Sequence, residues 1–352
     1  MFETSRKPYV IAEIGANHNG DMDLARRMIR AAKEAGADAA KFQSWDTTLF
    51  SRKVYEENVF LHDDYRDRSD YTLKEIVEEF ALSREQLGEL AAYCREVGID
   101  FASTPFEPEQ VPPLVEFGAP FVKIASMDIN NDRLLRKAAE TGLPVVLSTG
   151  MAEMGEIDRA VATLERANCN EIVLLHCVSV YPAPAEVVNL RNMVMLREVY
   201  GCPVGYSDHT HGIEAPLAAV ALGAVLLEKH FTLDRDMFGW DHKVSTEPDL
   251  FAQMVRGAHT VHTMLGTKRR VVGETELQQR PSYRRSIIAA RDIKTGERID
   301  AANTCYRRPG TGLDPSLFPL IDGLIARRDI PYDTVIALTD LTAPEDESAA
   351  DE

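Results

Sequence analysis

The sequence has no apolar run of the roughly 18 residues that a membrane-crossing helix needs, so no transmembrane segment is expected. Nor is an apolar leader expected, because MFETSRKPYVIAEIG (1–15) passes from a charged start almost directly into a strand-like run. Cysteine is scarce. Cys94, Cys169, Cys177, Cys202 and Cys305 are scattered without C-x-x-C spacing. An odd count without a secretion signal leads to the expectation of reduced thiols in a cytoplasmic protein. Positive charge is short as well: 39 Lys and Arg stand against 56 Asp and Glu, a net charge of −17. That balance argues against nucleic acid or an anionic membrane as a partner. An anionic small molecule stays open, since a local pocket of cations can oppose the global field. Finally, no G-x-G-x-x-G follows the first apolar run, so the dinucleotide fingerprint is missing.

What the sequence does contain is a rhythm. Its 352 residues, 45% hydrophobic, suit one large domain and a small module. Short apolar runs at 9–15, 38–43, 99–104, 120–126, 144–149, 171–177, 203–208 and 224–230 read as eight strands. Amphipathic stretches such as 22–36 and 83–98 lie between them, and Gly36, Gly98, Gly142 and Gly223 sit where helices should end. Eight β-α repeats are the length and rhythm of an α/β protein of the (β/α)8 TIM-barrel class. The alternative, a doubly wound open sheet, usually has fewer strands. On this reading residues 1–265 form the barrel and 266–283 a basic linker. Residues 284–342 form a small β-rich domain and 343–352 an acidic tail of disordered composition. SIIAARDIKTGERI (286–299) and GLIARRDIPYDTVI (323–336) repeat each other at an offset of 37 (328 − 291 = 37), which suggests two similar short β-units. The charged stretch 54–72 fits neither helix nor strand and reads as a long loop, either a substrate lid or a solvated insertion.

In a barrel the C-terminal strand ends converge on one face. Here those ends carry Glu13; Lys41 with Gln43; Thr104; Lys123 with Ser126; Ser148 with Thr149; Ser179 with Tyr181; Ser207 with His209; and Glu228 with His230. One polar residue at a strand end is an ordinary loop starter, whereas eight together are hard to explain as packing. Two lysines among hydroxyls suit an anion such as a phosphate ester. His209 and His230 are one β-α unit apart (230 − 209 = 21) and would sit on adjacent strands. Such a pair suits a divalent transition metal with open positions as well as it suits two structural histidines. The other seven histidines, His18, His62, His176, His211, His242, His259 and His262, are taken as structural or surface residues.

AEIGANHNG (12–20), AKFQ (40–43), STPF (103–106), KIAS (123–126), LSTGM (147–151), YPAP (181–184), SDHT (207–210) and EKHFTLD (228–234) together resemble the sialic acid synthase family. RRSIIAARDIKTGERI and RRPGTG (307–312) resemble that family's antifreeze-like (SAF) domain. These phosphoenolpyruvate-dependent enzymes make neuraminate, legionaminate or pseudaminate, with a spore-coat polysaccharide branch. The resemblance implies a TIM barrel followed by the SAF domain, and condensation of phosphoenolpyruvate with an aldose to give a 2-keto-3-deoxy sugar acid and phosphate. It implies that Lys41, Gln43, Thr104, Lys123, Ser126, Ser148 and Ser207 hold phosphoenolpyruvate, and that His209 and His230 ligate Mn2+ (or Mg2+ or Co2+). Glu13 would orient or deprotonate the attacking water. Ser179, Tyr181, Glu228 and Asp241 would contact the sugar, and Arg308 would reach across to it in a domain-swapped homodimer. Three positions depart from the neuraminate pattern. Asp128, counted with the catalytic residues, replaces a longer glutamate; Ser179 replaces an asparagine; and Trp240 replaces a small residue or proline. The aldose is therefore either N-acetylmannosamine or a related amino or diacetamido sugar, as in the pseudaminate, legionaminate or spore-coat branches. Two other readings remain: a metal-dependent sugar isomerase or lyase, for which a neutral sugar would not need Lys41 and Lys123, and a non-catalytic carbohydrate- or ice-binding protein, which would favour a flat array of threonines.

Overall fold

The computed structural model describes residues 2–3, 6–58 and 71–344, in two compact units, Met1–Gly266 and Thr267–Glu352. In the first unit eight parallel strands follow one another: β1 (Tyr9–Gly15), β2 (Ala39–Gln43), β3 (Asp100–Thr104), β4 (Val122–Ile124), β5 (Val145–Ser148), β6 (Ile172–Cys177), β7 (Val204–Asp208) and β8 (Leu226–His230). Their hydrogen-bonded order is β3-β2-β1-β8-β7-β6-β5-β4. Residues of β3 and β4, the two ends of that order, come within 8 Å of each other, so the sheet curls into a nearly closed TIM-like barrel. All eight runs read from the sequence are strands.

Period-two alternation sorts each strand into two cores. Ile11, Ala39, Ala102, Val146, Val173 and Leu226 pack inside the barrel. Their neighbours, including Val10, Ala12, Ala40, Leu147, Leu174 and Leu227, pack outward against helices. The helix Met22–Glu34 shows why the outer layer forms. Asp21 caps its first turn by accepting from Asp23 N and Leu24 N, and Leu24, Ala25, Met28, Ile29 and Ala32 make one buried stripe. Ser83 and Gln86 make a capping box for the helix Arg84–Val97, which Gly98 ends at φ 78°. Two residues beyond Ile11, Ala39, Ala102, Val146 and Leu226, the interior turns polar, with Glu13, Lys41, Thr104, Ser148 and Glu228. The site is thus the upper layer of the barrel interior.

Two readings needed correction. Residues 54–57 of the supposed loop 54–72 belong to the helix Arg52–Glu57, and its last residue, Thr72, caps the helix Leu73–Phe80 in a capping box with Glu75. Residues 59–70 lie outside the described residues, and the lid reading with them. Residues 274–283 of the supposed linker form the helix Glu274–Tyr283. None of its residues is buried, so it shows no apolar period; helix-forming Glu, Gln and Leu with acidic residues in the first turn account for it instead.

The second unit is built on the internal repeat. Strands β9 (Ser286–Ala289) and β10 (Thr304–Arg307) pair antiparallel, as do β11 (Ile325–Ala326) and β12 (Leu341–Thr342). The repeats meet at equivalent residues: Ile293 N donates to Ile330 O at 2.9 Å and Ile330 N to Ile293 O at 2.8 Å. Ile293, Ile299, Ile330 and Ile336 lie in one core.

Candidate active site

Glu13 is brought to Lys41 by the β1–β2 register and to His230 by the β1–β8 register. The Lys41 ammonium lies 2.7 Å from Glu13 Oε2 and 3.6 Å from Glu228 Oε2, and it donates to Thr104 Oγ1 at 2.9 Å. Gln43 Nε2 donates to the other Glu13 oxygen at 3.0 Å. Gln43 is itself oriented by Trp45, whose indole N–H donates to its carbonyl at 2.9 Å. Lys123 donates to Ser148 Oγ at 2.7 Å and to Ile124 O at 3.0 Å, and lies 3.8 Å from Glu228 Oε1. Ser207 donates to Glu228 Oε1 at 2.9 Å. Glu13, Lys41, Lys123 and Glu228 are all buried.

Glu228, expected beside the sugar, therefore lies among the residues expected to hold phosphoenolpyruvate. Ser126, Cys177 and Ser179 converge at Gly150: a methyl group there would stand 2.7 Å from Cys177 Sγ and 2.8 Å from Ser126 Oγ, and would also strike Ser179 Oγ. Ser126 accepts from Gly150 N at 3.0 Å and lies 3.1 Å from Cys177 Sγ. Sequence reasoning passed over Cys177 and Trp45, which are ordinary core residue types by composition. Only the strand-end position of Cys177 and the two-residue spacing of Trp45 from Gln43 pointed to them.

The histidines stand together above this layer. The His209 and His230 rings are 5.5 Å apart, and the half-exposed Tyr181 lies 4.2 Å from His209 and 5.9 Å from His230 between ring centroids. His209 Nδ1 donates to Val178 O at 2.7 Å, which leaves its Nε2 with a free lone pair. His230 Nδ1 is buried without a hydrogen-bond partner, 3.6 Å from Asp241 Oδ2. Asp241 is held by its carbonyl, which accepts from Ser245 Oγ at 2.6 Å. Gly15 turns at φ 55° between Glu13, Gln43 and Asp241; a methyl group there would approach Glu13 Oε1 and Gln43 Nε2 to 3.2 Å. Asp128 stands apart from the lysines, 3.4 Å from Asn131 Nδ2, with Oδ2 buried and unpartnered. It lines a cavity of about 140 Å³ with Trp45, Phe106, Glu107 and Asn131. Arg308 lies in the second unit, exposed, its guanidinium 5.2 Å over the Tyr283 ring.

Burial and neighbouring charge drive the titrations apart. Burial pushes the Glu13 carboxyl up, and adjacent Glu228 adds to that against the pull of Lys41 and His230. Glu228 is equally buried, yet Lys123, Lys41 and the Ser207 hydroxyl overcome the penalty and hold it at about 2. Burial draws Lys123 down, whereas in Lys41 two carboxylates outweigh the same effect and raise it. Burial and then His230 lower His209 to about 4, and burial lowers His230 too, so both imidazoles are neutral at pH 7. His18 and His242 are buried neutral histidines of the surrounding loops; His242 meets Thr232 Oγ1 at 2.7 Å.

Two carboxylates of opposite titration, two buried cations and a neutral histidine pair at the C-terminal face of a TIM barrel define an enzyme site. The chain belongs to the NeuB family, which it matches over residues 28–270, and residues 284–342 match the SAF domain. It is 38% identical to the N,N'-diacetyllegionaminic acid synthase of Campylobacter jejuni, over 94% of this chain and 99% of that one. It is also 38% identical to the human N-acetylneuraminate-9-phosphate synthase, over 82% and 79%. The crystal structure of the N-acetylneuraminic acid synthetase of Leptospira borgpetersenii covers 78% of this chain and 90% of its own at 35% identity, with a TM-score of 0.68. The protein is accordingly an enzyme of this family, a sugar-acid synthase. No helix among the described residues is long and apolar enough to cross a membrane.

Proposed function

We propose that the protein condenses phosphoenolpyruvate with an unphosphorylated N-acylated aldose, such as N-acetylmannosamine or a diacetamido-trideoxyhexose. The products are a 2-keto-3-deoxy sugar acid and phosphate. The observation that carries this reading is the layer of Lys41 and Lys123, each buried and each hydrogen-bonded to a hydroxyl. A neutral sugar needs no pair of desolvated cations; a phosphate ester carrying a carboxylate does. Ser126, Ser148, Ser207 and Thr104 supply the remaining donors.

His209 and His230 fit a divalent ion such as Mn2+: each is neutral, one has its second nitrogen tied to a carbonyl, and the other keeps a buried nitrogen without a hydrogen bond. Such an ion would draw electron density from the sugar's aldehyde group. The enol carbon C3 of phosphoenolpyruvate then bonds to the aldehyde carbon, the C=O π pair moves to the aldehyde oxygen, which takes up a proton to become a hydroxyl, and C2 gains positive character. Glu13, its carboxylate held by Lys41 and Gln43, faces that charge and takes a proton from the water that adds at C2. The bond between C2 and the bridging phosphate oxygen then breaks as the added hydroxyl becomes the C2 ketone; phosphate departs with that hydroxyl's proton, and the proton held by Glu13 replaces the one taken up by the sugar oxygen. Asp241 and Tyr181 stand at the histidine side, where the sugar's hydroxyl and amide groups would lie, whereas Ser179 points to Gly150 beside Ser126. In this reading the second unit supplies Arg308 to the sugar of a partner subunit, in keeping with the resemblance.

The test is phosphate release from phosphoenolpyruvate with Mn2+ across free aldoses and their 6-phosphates. Release with one unphosphorylated amino sugar, and a product heavier by the pyruvyl unit, supports the reading. Folded, Mn2+-loaded protein that binds no phosphoenolpyruvate by calorimetry overturns it.

A further inference from the structure

Strand β8 alternates: Glu228 and His230 face the barrel interior, and Lys229 between them faces the helix layer with Leu227. Strand β7 does the same, with Ser207 and His209 inward and Asp208 outward beside Tyr206. The register sets Asp208 against Lys229. Both are almost completely buried, and their side chains form an ion pair there. The same Lys229 ammonium donates to Thr210 O at 2.8 Å, and Asp208 Oδ1 accepts from Thr210 N at 2.9 Å. The backbone that carries His209 is therefore pinned on both sides of Thr210 by one charge pair, and that pair joins it to the strand residue before His230. A buried ion pair recovers its desolvation cost only with ideal partners, so stability alone gives little reason for charges in this layer beyond the bonds to Thr210.

We propose that Asp208 and Lys229 are positioning residues: they act through the backbone to fix His209 and His230 at the spacing that captures the divalent ion. This rests on the reading of the two histidines as the metal pair, and the pair itself touches neither ion nor substrate.

The test measures Mn2+ and phosphoenolpyruvate affinities separately, by calorimetry, on full-length metal-free protein. Lys229→Met combined with Asp208→Asn removes both charges, leaves none unpaired, and keeps an acceptor for Thr210 N. We expect Mn2+ affinity to fall about 10- to 100-fold, the range seen when groups behind metal ligands are removed. Phosphoenolpyruvate affinity should stay within about threefold, since Lys41, Lys123, Thr104 and Ser148 lie on other strands and only Ser207, facing the opposite side of β7 from Asp208, adjoins the pair. Lys229→Arg is the second variant. It keeps the charge but moves the donor away from Thr210 O, and should lose Mn2+ affinity by a smaller factor. Wild-type Mn2+ affinity in either folded variant overturns the proposal, as does a parallel loss of both affinities, which marks a merely structural pair. His209→Ala separates the two claims. If it binds Mn2+ as the wild type does, the metal reading fails and this one with it; if it binds none while the double variant binds normally, only the positioning role is lost.

Discussion

The carboxylate of Glu13 and the ammonium of Lys41 stand 2.7 Å apart inside the barrel, on neighbouring strands whose register places the two residues side by side. On the proposed reading, the contact ties the anion-holding layer to the group that would handle the proton. Lys41 keeps the carboxylate ionisable in a buried site, while burial and Glu228 raise its titration above that of a free glutamate. A carboxylate so placed accepts a proton more readily near neutrality, as a general base requires.

Glu13→Gln removes that base and keeps the side chain's size. Turnover should fall by about 10² to 10⁴, with phosphoenolpyruvate affinity changed only a few-fold. In the wild type the rate should rise with pH through the raised Glu13 titration, and the variant should lack that limb. Steady-state rates between pH 4.5 and 8.5 check this. An unchanged acid limb in the variant would assign the proton to another group.

Lys123→Met addresses the anion. Phosphoenolpyruvate affinity should fall by at least 10-fold, since the variant deletes a buried charge-assisted donor. Because burial lowers the Lys123 titration, wild-type affinity should also weaken as pH rises through that lowered value, before ordinary lysines lose their protons. Calorimetry at pH 7 and pH 9.5 measures both. Equal affinity in wild type and variant at pH 7 removes Lys123 from the site.

Much of this was legible in the sequence, for a physical reason. A parallel strand buried on both faces reads as an apolar run, so a polar residue at its end is conspicuous; Glu13, Lys41, Lys123, Ser148, Ser207 and Glu228 were found in that way and do lie together. What the one-dimensional pattern cannot carry is which partner a buried group chooses. The resemblance implied that Glu228 contacts the sugar, and the structure sets its carboxylate 3.6 Å from Lys41 and 3.8 Å from Lys123. Lys229 was hidden between two inward residues, although period-two alternation already required it to face the helices. The helix Glu274–Tyr283 escaped because it buries nothing, and apolar periodicity detects only helices that do.

Gly150→Ala tests the convergence of Ser126, Cys177 and Ser179. Its backbone lies outside the left-handed region, so an added methyl strains no dihedral. It would instead press on the three side chains. That overpacking should cost about 1–3 kcal/mol of stability, and phosphoenolpyruvate affinity of the folded variant should drop by about 10-fold as Ser126 is displaced, an effect of the size of one lost hydrogen bond to a charged group. Thermal unfolding and calorimetry on the same preparation separate the two effects. Normal affinity would show that Ser126 does not touch the anion.

Arg308→Ala should act on one substrate only. If the second unit supplies this arginine to a partner subunit's sugar, the aldose KM should rise by 10-fold or more while phosphoenolpyruvate affinity and thermal stability hold. In its own unit Arg308 is exposed over Tyr283, so its removal breaks no buried contact. An aldose KM equal to that of the wild type would leave it a surface residue.

Glu228→Gln tests the anion at the centre of the lysine pair through stability. In the folded protein Glu228 titrates at about 2, below the 4.5 of an unperturbed glutamate, because Lys123, Lys41 and Ser207 outweigh its burial. A depressed carboxylate contributes stability that is fully present above the unfolded value and is lost as pH falls through the folded one. The shift corresponds to about 3 kcal/mol, close to the cost of stranding one partner of a buried pair. The variant should therefore lose about 3 kcal/mol at pH 7 and distinctly less at pH 3.5, within the window between 4.5 and 2. Urea unfolding at the two pH values measures the difference. A loss of the same size at both would mean that glutamine fails by packing, and that the lysines do not depend on the Glu228 charge to remain buried.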